Sequence, residues 1–244
     1  MIKLEHTVLA SPEQMEFIIQ GMRNPMNSWK KSDSYENYSV EFDDDLPGVE
    51  IRHPYYRVGA GDISLMQRLA NAGTDHRKFM RMMPVYVRIT APLYWWKEFD
   101  TYKVGTVANS CSTMHKIQEK EFTLEDFSCD HLKNAFDVQI PYLSNITSIY
   151  HYKEILKDTI DILNNARALY LETKDKTFWW QMIQLLPSSY NQTRNVMMNY
   201  EVLANIYKSR KNHKLDEWRE FCQWIETLPY AELIIGSQET VIHQ

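Results

Sequence analysis

The stretch LPSSYNQTRNVMMNYEVLANIYKSR, residues 186–210, decides how this chain is read. Pro187 closes an apolar run that starts at Phe178, Ser188 and Ser189 mark a turn, and apolar residues then recur at helical spacing from Asn195 to Ser209. The stretch thus reads as a turn leading into a helix that carries Asn199, Asn205 and Arg210. Six positions on one helix put the two asparagines roughly 120° apart, facing different points. Polar groups spaced this way suit a ligand as well as a core.

Working outward, PVYVRITAP (Pro84–Pro92) alternates Val85, Val87, Ile89 and Ala91 with Tyr86, Arg88 and Thr90, and its prolines stand only at the ends. That is the signature of a half-buried strand. Ile63, Leu65, Met66, Leu69 and Ala70 mark a helix over residues 62–72, which Gly73 stops. A short aromatic segment follows the strand at residues 93–100, and residues 101–113 read as a loop or a helix start. Further helices are expected over residues 152–170, 178–186 and 215–228. The patch of Glu41, Asp43, Asp44 and Asp45, followed by Pro47 and Gly48, reads as a solvated turn. The fold class is α+β, with an antiparallel or mixed sheet early and a helical C-terminal half. Residues 122–145 carry no clear linker, so one domain over 1–244 is expected.

Composition narrows the function. A chain of 244 residues with 44% hydrophobic and 24% charged residues has a globular make-up and can bury a substantial core. A net charge of −5 argues against a partner that is a nucleic-acid polymer, while leaving room for a local basic pocket that holds one phosphorylated small molecule. No run approaches a membrane span and no secretory leader opens the sequence, so the expected location is cytoplasmic. Cys111, Cys129 and Cys222 are scattered and odd in number, which fits neither a disulfide framework nor a metal knuckle. VGAGD, with Gly59 and Gly61, begins like a dinucleotide fingerprint but lacks its third glycine. His213 and Glu217 stand at i, i+4 without a third metal ligand, so no metal site is expected. The tandem pairs Trp95–Trp96 and Trp179–Trp180 read as core or as stacking platforms.

ITAPLYWWKEFDTYK and the later LPSSY…NYEVLANIYKSR…DEW resemble, in order and spacing, the flavin-dependent thymidylate synthase family, over about His76 to Trp218. In that family a strand ending in Ala-Pro leads to an aromatic helix and then to a signature of the form RHRxxSxNExSxR. Here the corresponding run is TYKVGTVANSCSTMH, residues 101–115. Asn109, Ser110 and Ser112 follow the N-E-x-S part, Thr101, Tyr102 and Lys103 stand where Arg-His-Arg is usual, and Met114 replaces the last arginine. One extra residue separates Lys103 from Asn109.

The resemblance implies roles position by position. Asn199 and Asn205 fall on flavin-contacting asparagines, and His76 on a histidine near the flavin, with Lys78 where a threonine is usual. Tyr102 and Lys103 complete the implied cofactor set. Arg210 falls on the arginine that grips the uracil base, the one implied catalytic residue, and Glu98, Ser110 and Ser112 join it on the substrate side. The implied reaction is reductive methylation of dUMP to dTMP with FAD, NADPH and methylenetetrahydrofolate in a homotetramer. The residues support part of this independently: a guanidinium fork suits a pyrimidine carbonyl edge, and its fixed charge suits a ring that turns negative under attack. Other readings stand beside it: Arg210 as a helix C-terminal cation, the asparagines as solvated polar residues, and the serines as a helix cap. Arg77, Lys78 and Arg81 form a basic cluster beside His76 that offers charge in place of the missing arginines. Besides the synthase, two functions remain: a repurposed relative without catalysis, and a flavoprotein acting on another pyrimidine nucleotide.

Overall fold

The computed structural model describes residues 2–42, 49–133 and 151–236. Six strands and eight α-helices follow one another along these residues. The strands are β1 (Lys3–Leu9), β2 (Tyr35–Phe42), β3 (Glu50–Arg57), β4 (Pro84–Pro92), β5 (Val107–Ser110) and β6 (Asn191–Asn199). The helices are α1 (Pro12–Arg23), α2 (Ala60–Asn71), α3 (Leu93–Phe99), α4 (Tyr152–Thr173), α5 (Lys176–Leu185), α6 (Tyr200–Arg210), α7 (Asp216–Glu226) and α8 (Glu232–Ile235). A four-stranded sheet runs β1-β4-β6-β5, and β2 and β3 form a separate antiparallel pair. The α+β class expected from the sequence is thus present. Of the acidic patch, Glu41 ends up in β2, and residues 43–48 lie outside the described part.

Contacts gather the chain into two units. The first takes residues 1–3, 89–101 and 109–194. Its helices α4 and α5 are separated by Lys174 in the left-handed region (φ 58), and Asp175 accepts from the Thr177 N–H to cap α5. Leu156, Ile160, Leu163 and Ala166 on α4 bury one stripe with Met182, Phe122 and Phe127. Trp95, Trp96 and Phe99 of α3 make a second buried group with ring centroids 4.9–5.3 Å apart, so the first tryptophan pair is core. Trp179 and Trp180 stack edge to face, and Trp180 remains exposed.

The second unit takes residues 4–88, 102–108 and 195–244. Ser11 and Gln14 form a reciprocal capping box that starts α1, with Pro12 in the first turn. The start of α2 is capped from afar, because the Asp33 carboxylate accepts the Gly61 and Asp62 backbone N–H groups at 2.8 and 3.0 Å. A side chain on Gly59 would put its Cβ 2.2 Å from Asp33 Cγ. The two glycines of VGAGD therefore make room for the protein's own carboxylate, which fills the anion position at this helix N-terminus. Asp62 is buried and receives Arg23 Nε at 2.6 Å and the hydroxyls of Ser32 and Ser34 at 2.7 and 2.6 Å. Trp218, Phe221, Ile225, Leu203 and Ile206 bury the facing stripes of α6 and α7.

Strand β4 matches its expected span, with Val85, Val87, Ile89 and Ala91 buried and Tyr86 exposed. The expected helix over residues 195–209 is corrected: residues up to Asn199 form β6, and α6 begins only at Tyr200. Gln192, Val196 and Met198 alternate inward along β6, a period of two. Asn199 then adopts an extended backbone, and its side-chain oxygen accepts from Val202 N at 3.0 Å, capping the helix. Asn199 and Asn205 consequently do not share one helical stripe. Residues 107–110, expected as loop or helix start, form β5, and the Cys111 N–H donates to the Thr193 carbonyl of β6 at 2.9 Å. Thr90 meets Thr193 at 2.7 Å and Arg88 meets Asn195 at 3.3 Å, an antiparallel register for β4 and β6. A late strand, β6, therefore joins the sheet within a C-terminal half that is otherwise helical among the described residues.

Candidate functional site

Arg210 closes the C-terminal end of α6, where polar and aromatic side chains of the second unit surround it. Its Nε donates to the Tyr102 hydroxyl at 2.9 Å, and Nη1 lies 3.0 Å from His213 Nε2. The guanidinium sits 4.7 Å from the centre of the Trp218 ring and 5.7 Å from that of Tyr102. Cation–π contact of this kind holds the fork's plane while leaving its charge intact. His213 Nδ1 also lies 3.2 Å from the Leu215 N–H, so both ring nitrogens are occupied within the chain. An imidazole has at most one lone pair to offer, so Arg210 and Leu215 compete for it. His213 is thereby a neighbour of Arg210, and no metal-sized group of His, Cys, Asp and Glu occurs among the described residues.

Two residues past Lys103, Gly105 has φ +77, and a Cβ there would lie 2.9 Å from Asn199 Nδ2 and 3.1 Å from Val202 Cγ2. The segment that carries Tyr102 is thus laid against the N-terminus of α6, while Arg210 meets Tyr102 from that helix's other end. Lys103 is exposed, and the Thr106 hydroxyl is buried without a hydrogen-bond partner among the described residues. A second cluster lies where the turn Lys78–Arg81 meets α6. Arg77 Nε stands 2.8 Å from Glu201 Oε2, an ion pair whose angle falls short of a hydrogen bond, and Arg77 Nη2 reaches Asn205 Oδ1 at 3.5 Å. His76 and Lys78 flank Arg77 on the surface, and Arg81 donates to the Thr74 carbonyl. Arg77 is therefore largely neutralised, which leaves Lys78 as the more available cation of the basic cluster.

Glu98, Ser110 and Ser112 belong to the first unit. Glu98 is half-buried on α3, and Ser110 ends β5 in an exposed position. The Ser112 hydroxyl accepts from the His115 N–H at 3.0 Å in a turn, so the serines cap no α-helix. This unit also holds a cluster that sequence reasoning missed. Arg194 lies 4.1 Å over Trp96 and donates to Asp100 at 2.6 Å and to Gln192 at 2.9 Å. Its signal was available only with β6 recognised, since its partners come from α3 and the same strand. Trp218 and His213 were visible in the sequence as a core position and a possible ligand, and neither pointed to Arg210.

No family model matches the sequence. Among curated proteins, the photosystem I assembly protein Ycf3 of Galdieria sulphuraria is 37% identical over 57 residues, which are 23% of this chain and 33% of that protein. The chain therefore spans about a third of that relative, and the match says nothing of the whole. Solved structures are more informative. Flavin-dependent thymidylate synthase ThyX from Helicobacter pylori, complexed with FAD and dUMP, is similar over 96% of both chains, with a TM-score of 0.59 and 15% identity.

The chain has the fold of the flavin-dependent thymidylate synthases.

A UMP/dUMP methylase, PolB from Streptomyces cacaoi, bound with 5-Br dUMP, is similar over 96% of this chain and 93% of its own, with a TM-score of 0.54 and 12% identity. On this synthase fold the second unit brings Tyr102 to Arg210, sets Asn199 against Gly105, and joins Asn205 to Arg77 between His76 and Lys78. A cleft of about 270 Å³ lined by Tyr55, Tyr56, Tyr200 and Tyr230 holds none of these residues. Among the described residues no helix is long and apolar enough to cross a membrane.

Proposed function

We propose that the chain binds a dUMP-like pyrimidine nucleotide through Arg210 and works, with FAD, as a nucleotide-methylating enzyme of the thymidylate synthase type. The observation that carries this reading is the clamp on Arg210: a hydroxyl, an imidazole and an indole face fix a cation at a helix end before any ligand arrives. A guanidinium positioned in advance costs little further ordering on binding, and it suits a base whose carbonyl edge gains negative charge.

The fit to FAD rests on donors. Lys78 and Lys103 are exposed ammonium groups suited to a diphosphate, His76 and Asn205 add ring and amide donors, and the Thr106 hydroxyl is a buried group without a partner among the described residues. Tyr102 and Asn199 are assigned to the flavin side. In this reading bound FAD, reduced by NADPH, supplies a hydride and methylenetetrahydrofolate supplies the one-carbon unit. The chain itself binds, orients and polarises the pyrimidine, as a homotetramer in the cytoplasm. Release of tritium from dUMP labelled at C5, dependent on FAD, NADPH and the folate, tests the activity; no release from flavin-loaded protein refutes it.

A second reading is favoured by one feature. Arg210 Nε already donates within the chain to Tyr102, at a position where the family has a histidine. In that reading the nucleotide pocket persists in a repurposed, non-catalytic relative, and nucleotide binding without turnover is its mark.

A further inference from the structure

A cavity of about 560 Å³ opens in the second unit between α1, β3 and the short turn Trp29–Lys31. None of the residues assigned above to the nucleotide or the flavin lines it. Its floor is Arg23, which is 5% exposed. The Asp62 carboxylate accepts from Arg23 Nε at 2.6 Å, and the Ser28 carbonyl and hydroxyl accept from Nη1 at 3.3 Å each. Nη2 has no hydrogen-bond partner among the described residues yet is not sealed from solvent, so its N–H groups face the cavity. Buried donors are as a rule satisfied, and one left open on a cavity floor calls for an acceptor from outside the chain.

The charge balance says which acceptor. Asp62, itself held by the Ser32 and Ser34 hydroxyls, fixes the guanidinium and cancels its charge. A second anion at Nη2 would leave the interior negative, so the acceptor that fits is neutral, a carbonyl oxygen. The rim supplies the complement. Glu16 on α1 accepts from Gln20 Nε2 through Oε1 at 3.1 Å, and its Oε2 has no partner among the described residues. Trp29 is 47% exposed, and its indole N–H donates to Asn24 at 2.7 Å, which fixes the ring. Tyr56 adds a second ring. Burial first, and then the Glu16 and Asp62 carboxylates, raise its hydroxyl above the ordinary value of 10, so it stays neutral at physiological pH.

An open donor, an open carboxylate and aromatic surface select a planar ring with a carbonyl on one edge and N–H donors on the next. Guanine is such a ring: O6 and N7 accept, while N1–H and the 2-amino group donate side by side. Adenine puts an amino donor where Arg23 needs an acceptor, and uracil offers a carboxylate one ring N–H between two carbonyls. Lys30 and Lys31 follow Trp29 on the same turn, are exposed, and supply positive charge suited to a phosphate.

We infer that this cavity binds a guanine nucleotide, with the base against Trp29 and Tyr56, its carbonyl on Arg23 Nη2, its paired donors on Glu16, and its phosphate toward Lys30 and Lys31. The inference is independent of the proposed chemistry at Arg210.

Calorimetric titration of GMP into the full chain, with FAD and dUMP in excess, tests it. Saturable binding is expected whether or not the synthase-type reading holds, with AMP weaker by at least about tenfold and guanosine weaker than GMP. Trp29→Ala and Glu16→Gln change exposed side chains, so each should keep the wild-type melting temperature while weakening GMP by about tenfold or more. No saturable heat at millimolar GMP, AMP or guanosine binding as tightly as GMP, full affinity in Glu16→Gln, or GMP binding only when dUMP and FAD are left out overturns the inference.

Discussion

Arg210 donates from Nε to the hydroxyl of Tyr102 at 2.9 Å, a hydrogen bond between residues 108 positions apart in the chain. Removing the hydroxyl tests whether this bond positions the guanidinium. Tyr102→Phe keeps the ring against Trp218, with centroids 5.9 Å apart, and deletes one hydrogen bond worth about 0.5–1.5 kcal/mol. The expected outcome is dUMP affinity weaker by about 2- to 12-fold with the melting temperature nearly unchanged. Arg210→Ala should weaken it by about 100-fold or more, and Arg210→Lys should not restore it, because an ammonium lacks the planar fork. Calorimetric titration of dUMP into the three variants reads all of this, and an Arg210→Lys protein of wild-type affinity would contradict the role.

Gly105 and Asn199 form the second test. Alanine at 105 must adopt φ +77 and place its Cβ 2.9 Å from the Asn199 amide, so Gly105→Ala is expected to cost about 1–3 kcal/mol of stability. Asn199→Ala loses the cap on α6, an expected cost of about 1 kcal/mol, whereas Asn199→Asp keeps the accepting oxygen and should stay near wild type. Flavin occupancy after desalting separates the roles of Asn199. Occupancy that falls in both variants assigns the amide to the cofactor, and wild-type occupancy in Asn199→Asp reduces it to a cap.

Part of this was legible in the sequence because it is local. The alternation of Val85, Val87, Ile89 and Ala91 identified β4 at its observed bounds, and Arg210 stood out at a helix end. Strand β6 was not legible, because Val196, Met197 and Met198 followed by Tyr200, Val202 and Leu203 fit a helical period almost as well as a strand. What separates them is the cap at Asn199, a side-chain bond to Val202 whose residue type was in view but whose conformation was not. The β2–β3 ribbon escaped for the opposite reason: its exposed faces give no clean contrast of apolar and polar sides. The clamp on Arg210 escaped because Tyr102 reaches it only through the folded chain.

Arg23 and Asp62 are both buried and paired at 2.6 Å. Breaking such a pair leaves a charge in the interior, so Asp62→Asn is expected to destabilise the protein by about 3–5 kcal/mol. Chemical denaturation should show the loss. A double change to apolar residues of similar volume should recover much of it, and failure to do so would mean that the serine hydroxyls on Asp62 contribute more than the ion pair.

Acid stability should carry a mark from Asp33. Backbone N–H groups of Gly61 and Asp62 hold its carboxyl below the ordinary value of 3.8. A lowered folded-state pKa means that the contribution is complete above the unfolded value and fades as pH falls through the folded one. Wild-type melting temperature should therefore drop more steeply below about pH 4 than that of Asp33→Asn, which has no such proton to take up. Parallel curves for the two proteins would remove Asp33 from the acid transition.

The absorbance spectrum of the purified protein, loaded with FAD, desalted and then titrated with dUMP, tests the proposed site most directly. A retained flavin band whose shape shifts saturably with dUMP, and fails to shift in Arg210→Ala, is the predicted result. A protein that keeps no flavin and binds no dUMP would contradict the proposal, leaving the synthase fold without the synthase's ligands.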